Sequence, residues 1–158
     1  MIRASAQAVR KMESKLRPHL ADISLVHVSL VRGKEVWRIV AADRERELPD
    51  LGAPCGAAFV RAAKLILRLV RGERADPKLF AILSSAYVML FEVGADPLSF
   101  EIGLVLKILH ELGYVDPKDP FDDFLKDPEF SITTLSRFTP FARRAVALVN
   151  TSLRETQL

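Results

Sequence analysis

The chain has 158 residues, 49% hydrophobic and 27% charged, which is the composition of one globular domain or two small ones sharing a core and argues against disorder. A single cysteine, Cys55, rules out an internal disulfide and a four-thiolate zinc site. The first residues lack an apolar signal core and no stretch of 18 apolar residues occurs, so the expectation is a soluble cytoplasmic protein without a membrane partner.

Charge is unevenly placed. Residues 1–40 hold eight basic side chains against three acids, whereas residues 41–158 hold fifteen against seventeen. Arg3, Arg10, Lys11, Lys15, Arg17, Arg32, Lys34 and Arg38 form the kind of cluster that phosphate-backbone binding requires, with a solubilising surface as the alternative.

Residues 1–9 are β-compatible, and residues 10–18 are charged and polar enough to form a loop or short turn. Two strands are expected next, at 23–31 with Val26, Val28 and Leu30 on one face, and at 35–40. Between them Gly33 sits where a hairpin turn needs a glycine. Trp37 has two readings, a base-stacking ring or a core side chain under the helical part.

From Pro54 onward the pattern is helical. Asp76-Pro77 and Asp96-Pro97 each place a capping aspartate before a first-turn proline, Thr139-Pro140 repeats the device, and Gly72, Gly94 and Gly113 follow the apolar runs. Helices are expected near 56–71, 77–93, 97–112 and 140–156, with shorter ones around 120–126 and 131–138. The helix at 97–112 is apolar on nearly every side and therefore central. On the helix at 56–71, Arg61, Lys64, Arg68 and Arg71 share one arc with no acid interleaved, either a solvated face or a landing site for an acidic peptide or phosphates.

His19, His27 and His110 lack metal-ligand spacing, and no phosphate-cradling glycine loop or nucleophile elbow is found, so neither a metal, a cofactor nor catalysis is expected. The acids Asp116, Asp119, Asp122, Asp123 and Asp127 are interrupted by prolines and read as a solvated connecting loop.

The run Gln7 to Leu20, a strand-rich segment ending in Ala41-Ala42-Asp43, the helix opening Asp76-Pro77-Lys78-Leu79-Phe80, the pair Phe100-Glu101, the closing Leu109-His110-Glu111-Leu112-Gly113-Tyr114 and the ending Val149 to Leu158 occur in the order found in the RecO family of bacterial recombination mediators. The chain resembles that family over essentially its whole length. The resemblance implies an α+β protein: a partial OB-fold of three strands over residues 1–45 that binds DNA, followed by an all-helical domain over 46–158. It implies a non-enzymatic DNA repair and recombination mediator in the cytoplasm, associated with the nucleoid. Such a protein binds single- and double-stranded DNA, anneals complementary strands and cooperates with RecR and the acidic tail of single-stranded DNA-binding protein. Arg10, Lys11, Lys15 and Arg17 then correspond to a basic loop, the hairpin adds Arg32, Lys34 and Arg38, and Arg61, Lys64, Arg68 and Arg71 become the candidate tail-binding stripe.

Three departures accompany the resemblance. Relatives begin with two further strands, so an incomplete barrel with exposed edges is expected. The zinc cysteines that many relatives carry after the Leu-Gly-Tyr motif are replaced by Val115 to Phe121, and Ser99 stands where relatives often place arginine. The competing reading is a helical protein-interaction module whose β part no longer binds DNA.

Overall fold

A computed structural model describes every residue except 1, 8, 10, 12, 74, 117–119, 128 and 156–158. It is a mixed α+β structure with a three-stranded sheet and six helices among the described residues. The chain divides into two compact units, residues 1–48 with 70–75 and residues 49–69 with 76–158.

The first unit is the sheet. Strand β1 (Ala4–Ser5) runs parallel to β3 (Trp37–Arg44), and β2 (Val26–Arg32) lies antiparallel on the other side of β3, giving the order β1-β3-β2. The hairpin closes where the Gly33 amide donates to the Val36 carbonyl at 3.1 Å. Both strands are displaced from their sequence-based limits. Ile23 adopts φ +54°, an unfavourable backbone for a β-branched residue, and pairing with β3 starts only at Val26. At the far end β3 runs on to Arg44, past the expected Val40. The register shifts between Ser29 and Leu30, so that two β3 residues, Val40 and Ala41, fill the space of one. That bulge keeps Trp37, Ile39, Ala42 and Arg44 as the more covered side chains of β3, with Val26 and Leu30 opposite. No described residue of this unit is fully buried.

The second unit holds the helices and the core. Its elements are α1 (Pro54–Leu69), α2 (Pro77–Met89), α3 (Pro97–Glu111), α4 (Asp122–Lys126), α5 (Ile132–Phe138) and α6 (Ala142–Glu155), the last entered through a 3-10 turn at Thr139–Phe141. The proline devices act as expected at two of three sites: Asp76 accepts from the Leu79 amide at 2.9 Å and Asp96 from the Ser99 amide at 2.8 Å. Ser99, fully buried, adds its hydroxyl to the same Asp96 oxygen at 2.6 Å, and these two bonds hold the Asp96 carboxyl below its usual range. Thr139 is not an N-cap. Its backbone is already helical and its hydroxyl donates back to the Leu135 carbonyl at 2.9 Å, so α5 continues into the 3-10 turn. Helix α1 stops at Leu69 rather than 71, before Gly72 at φ +83°. Helix α2 stops at Met89 rather than 93, because residues 90–92 close tighter three-residue turns ahead of Gly94.

Helix α3 is the centre, as its all-round apolarity requires: Phe100, Leu104, Leu106, Ile108 and Leu109 are fully buried, and α1, α2, α4, α5 and α6 pack on it. Gly103 lets two rings approach the helix. A Cβ there would sit 3.0 Å from Phe124 and 3.3 Å from Phe138, whose rings stack 4.3 Å apart.

One charge is enclosed with them. Lys107 is 1% exposed, donates to the Asp127 carbonyl and holds its ammonium 4.7 Å from the centre of the Phe124 ring. Asp127 is fixed in turn by the Glu129 amide at 2.8 Å and the Thr134 hydroxyl at 3.2 Å. Burial pushes the Lys107 ammonium down to about 8, with the Asp127 charge opposing the shift.

Two expectations follow from this core. Gly103→Val overfills the space beside Phe124 and Phe138, and chemical denaturation should show a loss of about 1–3 kcal/mol; an unchanged midpoint would contradict the packing account. For Lys107 the folded value lies below the ordinary one, so between about pH 8 and 10.5 the unfolded chain holds a proton that the folded chain has released. The cost of enclosing the charge is fully present below that window and is relieved as pH rises through it. The denaturation midpoint of the wild type should therefore climb across the window relative to that of Lys107→Met, while parallel profiles for the two proteins would count against it.

Candidate nucleic-acid interface

The basic side chains of the sheet unit fall into two groups set by strand direction. Arg32, Lys34 and Arg38 sit at the turn end of the hairpin, all exposed. Arg32 and Trp37 are cross-strand partners, whereas Arg38 pairs with Val31 and so projects from the opposite face. Both faces of the turn end thus carry a cation, with Lys34 at the tip beside Glu35.

Trp37 is half-buried rather than a core side chain. The Arg32 guanidinium lies 5.7 Å from its ring centroid, and the indole N–H donates to a Glu73 carboxylate oxygen at 3.2 Å. Glu73 belongs to the 70–75 segment of the same unit. The ring is thereby held in one orientation while part of it stays open to solvent.

The second group lies on the segment that follows β1. Because β1 is parallel to β3, the chain leaves it heading toward the far end of the hairpin. There His19 Nδ1 accepts the Arg44 amide at 3.2 Å and the Arg44 guanidinium donates to the Pro18 carbonyl. Between these ends the described residues 11 and 13–20 carry successive turn bonds, with Ser14 bonded to Lys11, Arg17 to Ser14, and His19 and Leu20 to Leu16. Lys11, Lys15 and Arg17 are exposed on those turns; Arg10 lies outside the described residues. Seven paired residues at about 3.4 Å each separate the two ends by roughly 20 Å, enough for a backbone-tracking ligand to meet cations along the strands. Asp43 and Glu45 lie at the Pro18 end, 3.6 Å from His19 and 3.3 Å from His27 respectively, which leaves the turn end the more cationic of the two.

In the helical unit the expected stripe is divided. Arg61 is not free: its Nε and NH2 groups donate to the two oxygens of Glu101 on α3, each at 2.6 Å, and this bond raises the guanidinium pKa further. The sequence showed no acid on the same helix, but the acid arrives from forty residues away. Lys64 and Arg68 are exposed beside Leu67, which is 62% exposed, and Arg68 also stands in the last turn where a cation offsets the helix dipole. Arg71 lies beyond the helix end, in the segment that belongs to the sheet unit.

Sequence reasoning passed over two charged groups. Lys107 was signalled by a lone cation in a helix apolar on all sides. The arginines of α6, taken up below, were signalled by the absence of carboxylates at helical spacing. Cys55 is half-buried, and burial together with Asp96 pushes its thiol pKa up, away from the thiolate form a nucleophile needs.

No family model matches this chain, and no curated protein matches it.

The pairing of Arg61 separates it from its neighbours on α1. Arg61→Glu places two carboxylates together and should lower the melting temperature, whereas Lys64→Glu with Arg68→Glu should leave it close to the wild type. Equal melting temperatures for all the variants would show that the bridge contributes nothing.

Proposed function

We propose that this protein is a non-enzymatic DNA repair and recombination mediator of the RecO kind, binding nucleic acid through its sheet unit. The observation that carries the reading is the hairpin in its sheet. An OB-fold is a five-stranded Greek-key barrel that binds oligonucleotides through a strand face and the loops after its first and fourth strands. In that barrel the third and fifth strands run parallel and the fourth lies antiparallel beside the fifth. The order β1-β3-β2, with one parallel and one antiparallel pair, corresponds to those last three strands. The turn at Gly33–Val36 then takes the position of the loop between the fourth and fifth strands, and it is flanked by Arg32, Lys34, Trp37 and Arg38. A restrained, half-open indole among exposed cations is the arrangement that stacks a base while neighbouring phosphates are neutralised.

On this reading the ligands are single- and double-stranded DNA, held with little sequence preference because phosphates supply most of the contacts. RecR and the acidic tail of single-stranded DNA-binding protein are the proposed partners. Lys64 and Arg68 flanking Leu67 suit an acidic tail with an apolar end better than the full stripe, since Arg61 is engaged with Glu101.

Trp37 is the only tryptophan and reports its own site. Titration with an oligodeoxythymidylate should change its emission, and anisotropy should give an affinity that falls with salt. Arg32→Ala, Lys34→Ala and Arg38→Ala together should flatten the slope of log K against log salt by about 2, at about 0.7 per phosphate contact on single strands. Unaltered Trp37 emission, with a triple variant that binds as the wild type does, would refute the reading.

A further inference from the structure

Helix α6 packs on α3 through Ala142, Ala145, Val149 and Ser152, which are buried. Its other side shows Arg143, Arg144, Ala147, Asn150, Thr151 and Arg154, all exposed. At about 100° per residue these six fall within an arc of about 120°, with Arg143 and Arg154 nearly in line and about 16 Å apart along the axis.

The arginines of this arc are open, as are Lys64 and Arg68 on α1, whereas three other cations of the unit are engaged. Arg61 is bridged to Glu101, Lys126 to Asp122 at 2.6 Å, and Lys107 is bonded to the Asp127 carbonyl. None of the three α6 arginines has a carboxylate three or four positions away, and none stands in an ion pair among the described residues. Acids are not scarce nearby in sequence: residues 96–129 carry nine carboxylates against three lysines, while residues 130–155 carry four arginines and one glutamate. The single acid of α6, Glu155 in its last turn, falls about 20° outside the arc.

We infer that the exposed arc of α6 is a second nucleic-acid surface, on which Arg143, Arg144 and Arg154 bind phosphates of the backbone. Its chemistry selects that ligand. Arginine forks match phosphate oxygens, Asn150 and Thr151 add neutral hydrogen-bonding groups of the kind that contact phosphate and sugar, and Ala147 leaves room for close approach. A membrane surface or an amphipathic peptide would need apolar anchors on the same arc, and none is present. The inference shares with the reading above only the class of ligand. If both hold, one chain offers two separate strand-binding surfaces, which is what bringing complementary strands together requires.

The test compares two triple variants on the full chain, Arg143→Ala/Arg144→Ala/Arg154→Ala and Arg32→Ala/Lys34→Ala/Arg38→Ala, using anisotropy of a labelled oligodeoxythymidylate over a salt series. Alanine in exposed helical positions preserves the helix, which circular dichroism verifies. The α6 variant should bind more weakly at low salt, with a slope shallower by about 2. It should do so whether or not the hairpin variant also loses binding, so the two readings fail separately. Wild-type affinity and slope in the α6 variant would overturn the inference. So would selective loss of binding to vesicles containing phosphatidylglycerol, or to polyglutamate, with oligonucleotide binding intact.

Discussion

A helix that is apolar on every side is stable only when other elements surround it, and that constraint organises the helical unit. Helix α3 buries Ser99, Phe100 and every residue from Gly103 to Leu109, so α1, α2, α4, α5 and α6 must pack around it. Packing at that density demands small residues where elements come closest. Gly103 admits the Phe124 and Phe138 rings, Phe100 meets Phe130 edge to face at 5.5 Å, and α6 presents mainly alanine, valine and serine to its neighbours. Burial of this kind supplies most of the stability of a small unit, and every fully buried residue described belongs to the helical unit.

The cations consequently divide into two populations. Lys107 and Arg61 are committed to the structure, the first enclosed beside Asp127 and Phe124, the second clamped across α1 and α3 by Glu101. Arg44 is likewise spent, fastening the Pro18 turn to the end of β3. Those that stay open include Arg32, Lys34 and Arg38 at the hairpin turn, Lys11, Lys15 and Arg17 on the preceding turns, Lys64 and Arg68 on α1, and the three arginines of α6. A sheet without a buried side chain gains little from apolar packing. Its exposed Val28, Val31 and Val40 and its half-buried Trp37 leave apolar surface open to solvent.

Local chemistry made much of this legible before the structure. Asp76-Pro77 and Asp96-Pro97 marked helix starts because an aspartate and a proline solve a local problem, the unpaired amides of the first turn. The same logic misled at Thr139-Pro140, where the preceding helix had not ended and the hydroxyl turned back to Leu135. The β-bulge at Val40 was invisible because alternation read along one strand does not report its partner's register. Arg61 was misjudged for a similar reason: a stripe on one helix says nothing about an acid on another, and Glu101 lies forty positions away. Lys107 was legible in principle, since the one lysine amid the apolar run of α3 must be satisfied inside, yet its partner is a backbone carbonyl that no side-chain pattern announces.

Helix α3 lies at the centre of the buried core, and on the proposed function the hairpin binds the ligand. Amide hydrogen exchange with and without an oligodeoxythymidylate addresses both halves in one measurement. The amides of α3 should exchange slowest of all and be unaffected by the oligonucleotide, while those of residues 26–44 exchange faster and gain protection when it is bound. Unchanged exchange across residues 26–44 on binding, or α3 amides no slower than those of the hairpin, would contradict this account.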